Sequence, residues 1–296
     1  MHKLMIEAAI NELASKEENP NVPYGPDEVA QDVIACARAG AAIVHFHARE
    51  AKTGNQLRLS HETYIEIYRA VQKESDVILY PGYPPGHTSG WSKEDRISHI
   101  LKMANEPSIR VELATLDVGS VNTGRYDRHA HQFMKTGGAY INTHADLIYF
   151  IEALSSHGIH FNLGLRDPGH MRHILAYMDM GLVKAPLSLK LFFAGDDPYG
   201  MPPTAKGLQT YLNSFPAGIE VHWFMTTVYG APHMRMNMLA AAMGGHIRTG
   251  LGENAMLNGH RLTNSQMVEL AVDLTHGVGR DVATPAEARQ MMGMVA

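Results

Sequence analysis

Eight short apolar segments recur along the chain, each followed by a stretch with helical spacing, and this alternation limits the possible folds more than any other feature. The apolar segments fall at 3–10, 42–49, 77–82, 110–117, 160–165, 187–194, 219–226 and 246–251. The helical ones fall at 26–39, 61–75, 92–105, 144–157, 169–180, 204–214, 233–244 and 264–277. Strands buried on both faces read as continuous apolar runs rather than as alternating ones. Eight strand–helix units therefore predict an α/β protein, a closed parallel (β/α)8 or TIM barrel formed by residues 1–296 as one domain. The 296 residues suffice, since such barrels need about 250.

Local signals agree with this frame. Pro26 with Asp27 and Glu28 suits a first helical turn, where a missing N–H costs nothing and acidic groups meet the positive end of the helix dipole. Thr204 is placed to cap the sixth helix, and Gly244-Gly245 to end the seventh. Thr284 and Pro285 open a further helix near the end of the sequence. The run Met234-Arg235-Met236-Asn237-Met238 has the spacing of helix packing, with a subunit interface as the other reading. The longest irregular stretches, 81–91, 118–143 and 195–203, follow strands three, four and six, on the face where barrel sites form.

Composition removes several function classes. The net charge is −5 and no Lys/Arg run is long enough to track a phosphate backbone, which argues against a nucleic-acid partner. The first residues lack the order of a signal peptide and no apolar run approaches a bilayer span, so a cytoplasmic protein without a membrane partner is expected. The single cysteine, Cys36, lies in a helical pattern as a small buried residue and rules out a Cys-rich zinc site. A metal, if bound, must use histidines and carboxylates.

The sequence has 18 His, and chance alone yields about one His-x-His in such a chain. His129-Ala130-His131 sits among polar residues and reads as a solvated loop. His45-Phe46-His47 instead ends the apolar run of strand two. Residues i and i+2 of a strand share one face, about 6 to 7 Å apart, so both imidazoles can reach one ion at about 2.0 to 2.1 Å. Two hydrogen-bonded interior histidines are the competing reading, but Arg49 adds a third polar group in succession, which packing alone does not explain. Strand eight and its loop offer Arg248 and Glu253, which barrel closure brings toward the histidines, or else a surface pair on a tight turn. On strand four, alternation turns Thr115 and Asp117 inward together.

These stretches carry a resemblance. Glu7-Ala8-Ala9-Ile10-Asn11, Val44-His45-Phe46-His47-Ala48-Arg49-Glu50, Ala114-Thr115-Leu116-Asp117-Val118-Gly119-Ser120 and Gly244-Gly245-His246-Ile247-Arg248-Thr249-Gly250 are together similar to the β-keto acid cleavage enzymes. The resemblance implies a zinc-bearing barrel that exchanges acyl groups between a β-keto acid and acetyl-CoA, giving acetoacetate and a new CoA thioester. It implies His45 and His47 as ligands of Zn²⁺ or another divalent metal, Thr115 as an active-site threonine, Arg248 as the catalytic arginine, and a homotetramer or homodimer.

Three departures bear on the site. The glutamate that completes the family's metal shell falls on Gly252, leaving Glu253 as candidate metal ligand, as acid/base, or as both. In the strand-one loop the nearest carboxylate moves to Glu12, next to Asn11. The strand-three loop becomes Pro81-Gly82-Tyr83-Pro84-Pro85-Gly86. Asn11, Glu12, Arg49, Gly82 and Tyr83 are therefore expected to contact the substrate, which is expected to differ from an aminated keto acid. Two other functions compete: a metal-dependent hydrolase of amidohydrolase type, whose His-x-His belongs on strand one, and a catalytically silent binding barrel, motivated by Gly252.

Overall fold

The apolar runs form parallel strands, as their two-sided burial requires, in a computed structural model that describes residues 3–85, 90–134, 136–228 and 232–294. Eight barrel strands appear: β1 (Ile6–Ala9), β2 (Ile43–Phe46), β3 (Ile78–Pro81), β4 (Leu113–Val118), β5 (His160–Leu165), β6 (Leu187–Ala194), β7 (Val221–Val228) and β8 (His246–Thr249). The helices are α1 (Gly25–Ala39), α2 (His61–Gln72), α3 (Lys93–Ala104), α4 (His144–Ser156), α5 (Met171–Asp179), α6 (Ala205–Asn213), α7 (His233–Ala242), α8 (Asn264–Gly277) and α9 (Pro285–Met291). Strand β7 begins two residues later than expected, and β8 stops before Gly250, whose φ of 120° turns the chain. Of the irregular stretch 81–91, residues 86–89, Gly86 among them, lie outside the described residues.

The hydrogen-bonded order is β3-β2-β1-β8-β7-β6-β5-β4, with every ladder parallel. β1 pairs Glu7 with Arg248 of β8 and Ala9 with His45 of β2, which is the closure that brings strand eight toward the histidines. β3 and β4 lie side by side at the seam without a ladder. Side chains join them instead. On the site face the Asp117 backbone N–H donates to the Tyr83 hydroxyl at 2.9 Å. On the opposite face Arg289 of α9 donates to Asp76 ahead of β3 at 2.9 Å and to Glu112 ahead of β4 at 2.8 Å.

Alternation along each strand sends one set of side chains to the helices and the other into the barrel. Ala114, Leu116 and Val118 of β4 join the outer core, whereas Leu113 packs inside with Met5, Ile43, Ile78 and Phe224. Ala288 and Met292 fill the same inner layer, so α9 plugs the N-terminal end of the barrel. Cys36 is fully buried, and Met236 sits in the outer core while Met238 is 52% exposed. Stretch 118–143 is not irregular throughout, because Val121–Thr123 pairs with Gly138–Tyr140 and Tyr126–Asp127 with Gln132–Phe133. His129 and His131 lie exposed in the turn of the second pair.

One off-site carboxyl gives the fold a pH dependence. Asp32 on α1 accepts from Asn264 Nδ2 at 2.6 Å, and burial pushes its carboxyl up to about 7. Between the unfolded value near 4 and that folded value, the unfolded chain ionises while the native one holds its proton, so stability falls as pH rises. Asp32→Asn removes the penalty and keeps an oxygen acceptor for Asn264. A shift of about three units corresponds to about 4 kcal/mol, but Asp32 is partly solvent-facing, which reduces the expectation to about 1–2 kcal/mol. Urea denaturation checks it: the variant is the more stable protein at pH 8 and equals the parent at pH 4. An equal stability difference at both pH values removes Asp32 as the cause.

Candidate metal and acid–base site

Strand β2 delivers His45 into the barrel, and His47 follows at its C-terminal end, with ring centroids 5.0 Å apart. Both are buried. The Asn11 side chain clasps the His47 backbone, accepting from its N–H at 2.9 Å and donating to its carbonyl at 3.0 Å. Gly82 makes room for the ring, since a Cβ there would lie 2.1 Å from His47 Cε1. His45 stacks on Tyr80 at 4.4 Å and places Nδ1 3.3 Å from the Tyr80 carbonyl. A carbonyl only accepts, so Nδ1 carries the proton and the neutral ring has its lone pair on Nε2.

That lone pair faces a carboxylate. Glu12 Oε1 lies 2.9 Å from His45 Nε2, and Oε2 lies 3.2 Å from His47 Nε2. Burial pushes His45 down to about 4, against the pull of Glu12. An unprotonated imidazole nitrogen and a carboxylate oxygen at this separation repel unless a proton or a metal ion lies between them. Among the described residues, Glu12, His45 and His47 form the one group of three such side chains whose ligand atoms all lie within 4.8 Å of one another. Two nitrogens and one carboxylate with a cavity above them fit a divalent ion with an open coordination position.

Arg248 of β8 organises the floor. Its Nε donates to Glu253 at 2.7 Å, its Nη1 to the Tyr80 hydroxyl at 2.7 Å and to Glu7, and its Nη2 to Glu12. Lys190 of β6 reaches Glu7 at 3.1 Å and the Tyr80 hydroxyl, and that hydroxyl donates to Glu7. Burial raises the Glu7 carboxyl, but Lys190, Arg248 and Tyr80 outweigh it and bring it down to about 2. Burial also lowers Lys190 to about 8. With Glu7, Glu12 and Glu253 ionised, three negative charges face two positive ones, a deficit that a divalent cation reverses.

The structure redistributes the expected roles. Glu253 turns both carboxylate oxygens away from the histidines, to Arg248 and to the Thr227 backbone N–H at 2.7 Å, so the carboxylate grouped with them is Glu12. Space accounts for the change: a Cβ on Gly252 would lie 2.7 Å from Glu12 Cγ, so the side chain lost at 252 leaves the volume that Glu12 fills. Asn11 and Arg49, expected on the substrate, serve the loops instead. Arg49 donates to Gly54, Asn11 and Ala14 carbonyls and lies over the Tyr24 ring at 4.4 Å. With Gln56 donating to the Glu12 carbonyl, the loop after β2 grips the loop that presents Glu12. Glu12, Gly82, Tyr83 and Thr115 line the cavity, which has a volume near 690 Å³.

Glu7, Tyr80 and Lys190 escaped the sequence reading. A signal existed, since Glu7 and Lys190 are lone charges in apolar strand runs, but only closure shows that they meet. Burial raises the Glu253 carboxyl against the opposing pull of Arg248, the direction that suits a group exchanging protons near neutrality.

A parallel barrel with this buried cluster at the C-terminal ends of its strands defines a (β/α)8-barrel enzyme. The chain belongs to the beta-keto acid cleavage enzyme family, whose model matches residues 3–294. It is 30% identical over 298 residues to a 3-keto-5-aminohexanoate cleavage enzyme of Fusobacterium nucleatum subsp. nucleatum, covering 99% of both chains. It is 24% identical to a 3,5-dioxohexanoate:acetyl-CoA acetone transferase of Paraburkholderia graminis, covering 93% of this chain and 90% of that one. The solved apo structure of ObcA has the same fold, with a TM-score of 0.71 at 18% identity over 93% of this chain; the match spans 66% of ObcA. Acyl transfer with carbon–carbon cleavage is thus the activity class, which sets aside the silent barrel. No helix among the described residues is long and apolar enough to cross a membrane.

Proposed function

We propose that the chain is a zinc-dependent enzyme that converts a β-keto acid and acetyl-CoA to acetoacetate and a new acyl-CoA. The observation that carries the metal is the Glu12 carboxylate set against both imidazole Nε2 atoms. His45, His47 and Glu12 would hold the ion, and a divalent ion there would supply Lewis acidity to the bound keto acid. Arg248 offsets negative charge that develops on the substrate, its guanidinium held in place by Glu7, Tyr80 and Glu253. Glu253 accepts the proton from the carbon between the two carbonyls and returns it to product. Thr115, on the cavity wall, donates its hydroxyl to the bound acid. The hydrolase reading loses ground because β8 presents Arg248 where such a site needs an aspartate.

The test uses chelator-treated protein, assayed with β-keto acids and acetyl-CoA before and after zinc is restored. Acetoacetate forms only with both acetyl-CoA and metal present. Zinc-loaded protein that turns over no member of the panel, or that releases product without acetyl-CoA, refutes the proposal.

A further inference from the structure

The β7–β8 ladder stops at Met225 and Ile247, two residues short of Thr227 and Thr249. Alternation turns these two hydroxyls outward, because Thr226 and Arg248 beside them line the cavity. The first residue of α7 meets them there. His233 Nδ1 lies 2.5 Å from Thr227 Oγ1, and His233 Nε2 lies 3.1 Å from Thr249 Oγ1. One turn on, Asn237 Nδ2 donates to the Arg248 carbonyl at 3.1 Å and lies 3.1 Å from His233 Nε2 as well. All four residues are buried, and none of them lines the cavity.

These contacts fix the proton on the ring. The Arg248 carbonyl only accepts, so Asn237 presents its N–H groups and His233 Nε2 takes one of them. Burial lowers His233 to about 4, with Arg248 acting in the same direction, so the imidazole is neutral. Its one N–H therefore stands on Nδ1 and donates to Thr227. The Thr227 backbone N–H in turn donates to Glu253 Oε2 at 2.7 Å, while Arg248 Nε holds Oε1 at 2.7 Å. On the β6 side the ladder continues as far as Val228, so His233 supplies the tie on the β8 side. We infer that His233 is a positioning residue for the acid–base step: its Nδ1–H holds the end of β7 against β8 and so aims the Glu253 carboxylate at the carbon it deprotonates. The inference rests on the β-keto acid and acetyl-CoA reading of the site, in which Glu253 moves that proton.

The experiment compares zinc-loaded parent, His233→Asn and His233→Gln, the last also combined with Glu253→Gln, on a panel of β-keto acids with acetyl-CoA. The amide nitrogen of asparagine stands where Nδ1 stands and that of glutamine where Nε2 stands, so only the first keeps a donor for Thr227. His233→Gln lowers kcat by about 10- to 100-fold, the cost of a misplaced reacting group, and leaves both KM values within about twofold. His233→Asn stays within about threefold of the parent in kcat, although it too melts lower, having lost its contacts to Thr249 and Asn237. In the Glu253→Gln background His233→Gln costs no more than about twofold, because residues that serve one step do not act additively. Equal kcat losses in the two single variants, or a full further loss on top of Glu253→Gln, overturn the inference. So does a His233→Gln protein with the kcat of the parent. A parent that turns over no acid, or a Glu253→Gln protein with undiminished kcat, overturns the underlying reading, and the inference with it.

Discussion

Glu12→Gln lowers the affinity for zinc by at least about 100-fold, while the metal-free protein unfolds at the same temperature as the parent or slightly higher. Losing a partner that merely orients a metal ligand already costs about 10- to 100-fold, and Glu12 faces both imidazoles directly. The amide keeps the shape but offers neither the charge nor the second anionic oxygen. Without metal, removing one of the three clustered carboxylates relieves their repulsion, which is why stability does not fall. Glu253→Gln provides the contrast: zinc affinity stays within about threefold of the parent, because that side chain is committed to Arg248 and Thr227, while turnover falls by about 10²-fold or more. Titration against a chromophoric chelator reads both. Metal loss in Glu253→Gln together with retention in Glu12→Gln moves the ligand to Glu253.

Arg248→Met has the largest effect on both stability and activity. Its guanidinium is 3% exposed and donates to Glu7, Glu12 and Glu253, so its removal leaves those carboxylates facing Lys190 alone. Breaking a buried ion pair from one side costs about 3–5 kcal/mol, which lowers Tm by about 5–15 °C in a chain of this size. Turnover falls by about 10³-fold or more, since preorganised positive charge at the reacting centre is lost. Arg248→Lys restores the charge without the fork that addresses three carboxylates, so it recovers most of the Tm loss but little of the turnover. Calorimetry beside steady-state assays separates the two effects, and a Tm within 2 °C of the parent for Arg248→Met, a bound set at about half the smallest loss expected, excludes the arginine as the organiser of the floor.

Both expectations concern contacts between loops far apart in the chain, and this marks where the sequence stopped being legible. The barrel itself was readable. Largely apolar runs at 42–49 and 187–194, short and bounded, suit strands covered on both faces, and β2 and β6 form within them. Caps at Thr204 and Thr284 were equally local, because a side-chain oxygen three residues from a helical N–H needs no tertiary partner to be recognised; both accept as expected, from Gly207 and Glu287. The inward turn of Thr115 and Asp117 followed from period two.

The division of labour among carboxylates was not local. The sequence by itself determined that two histidines stand at the end of β2, that an arginine stands on β8, and that acidic groups lie in the loops beyond β1 and β8. Position 252 lacks a side chain and position 12 has one, yet only the folded chain shows these two facts to concern one volume, with Gly252 hydrogen-bonded to Ala9 beside Glu12. Similarly, Arg49 looked like a ligand contact because it continues a polar series, and it became a brace because the loop after β2 folds back under the loop after β1. Propensity and periodicity act over a few residues and fix elements and faces. Which carboxylate meets which cation is decided by steric exclusion and Coulomb attraction between segments more than 200 residues apart, as for Glu12 and Arg248, and those terms exist only once the barrel has closed.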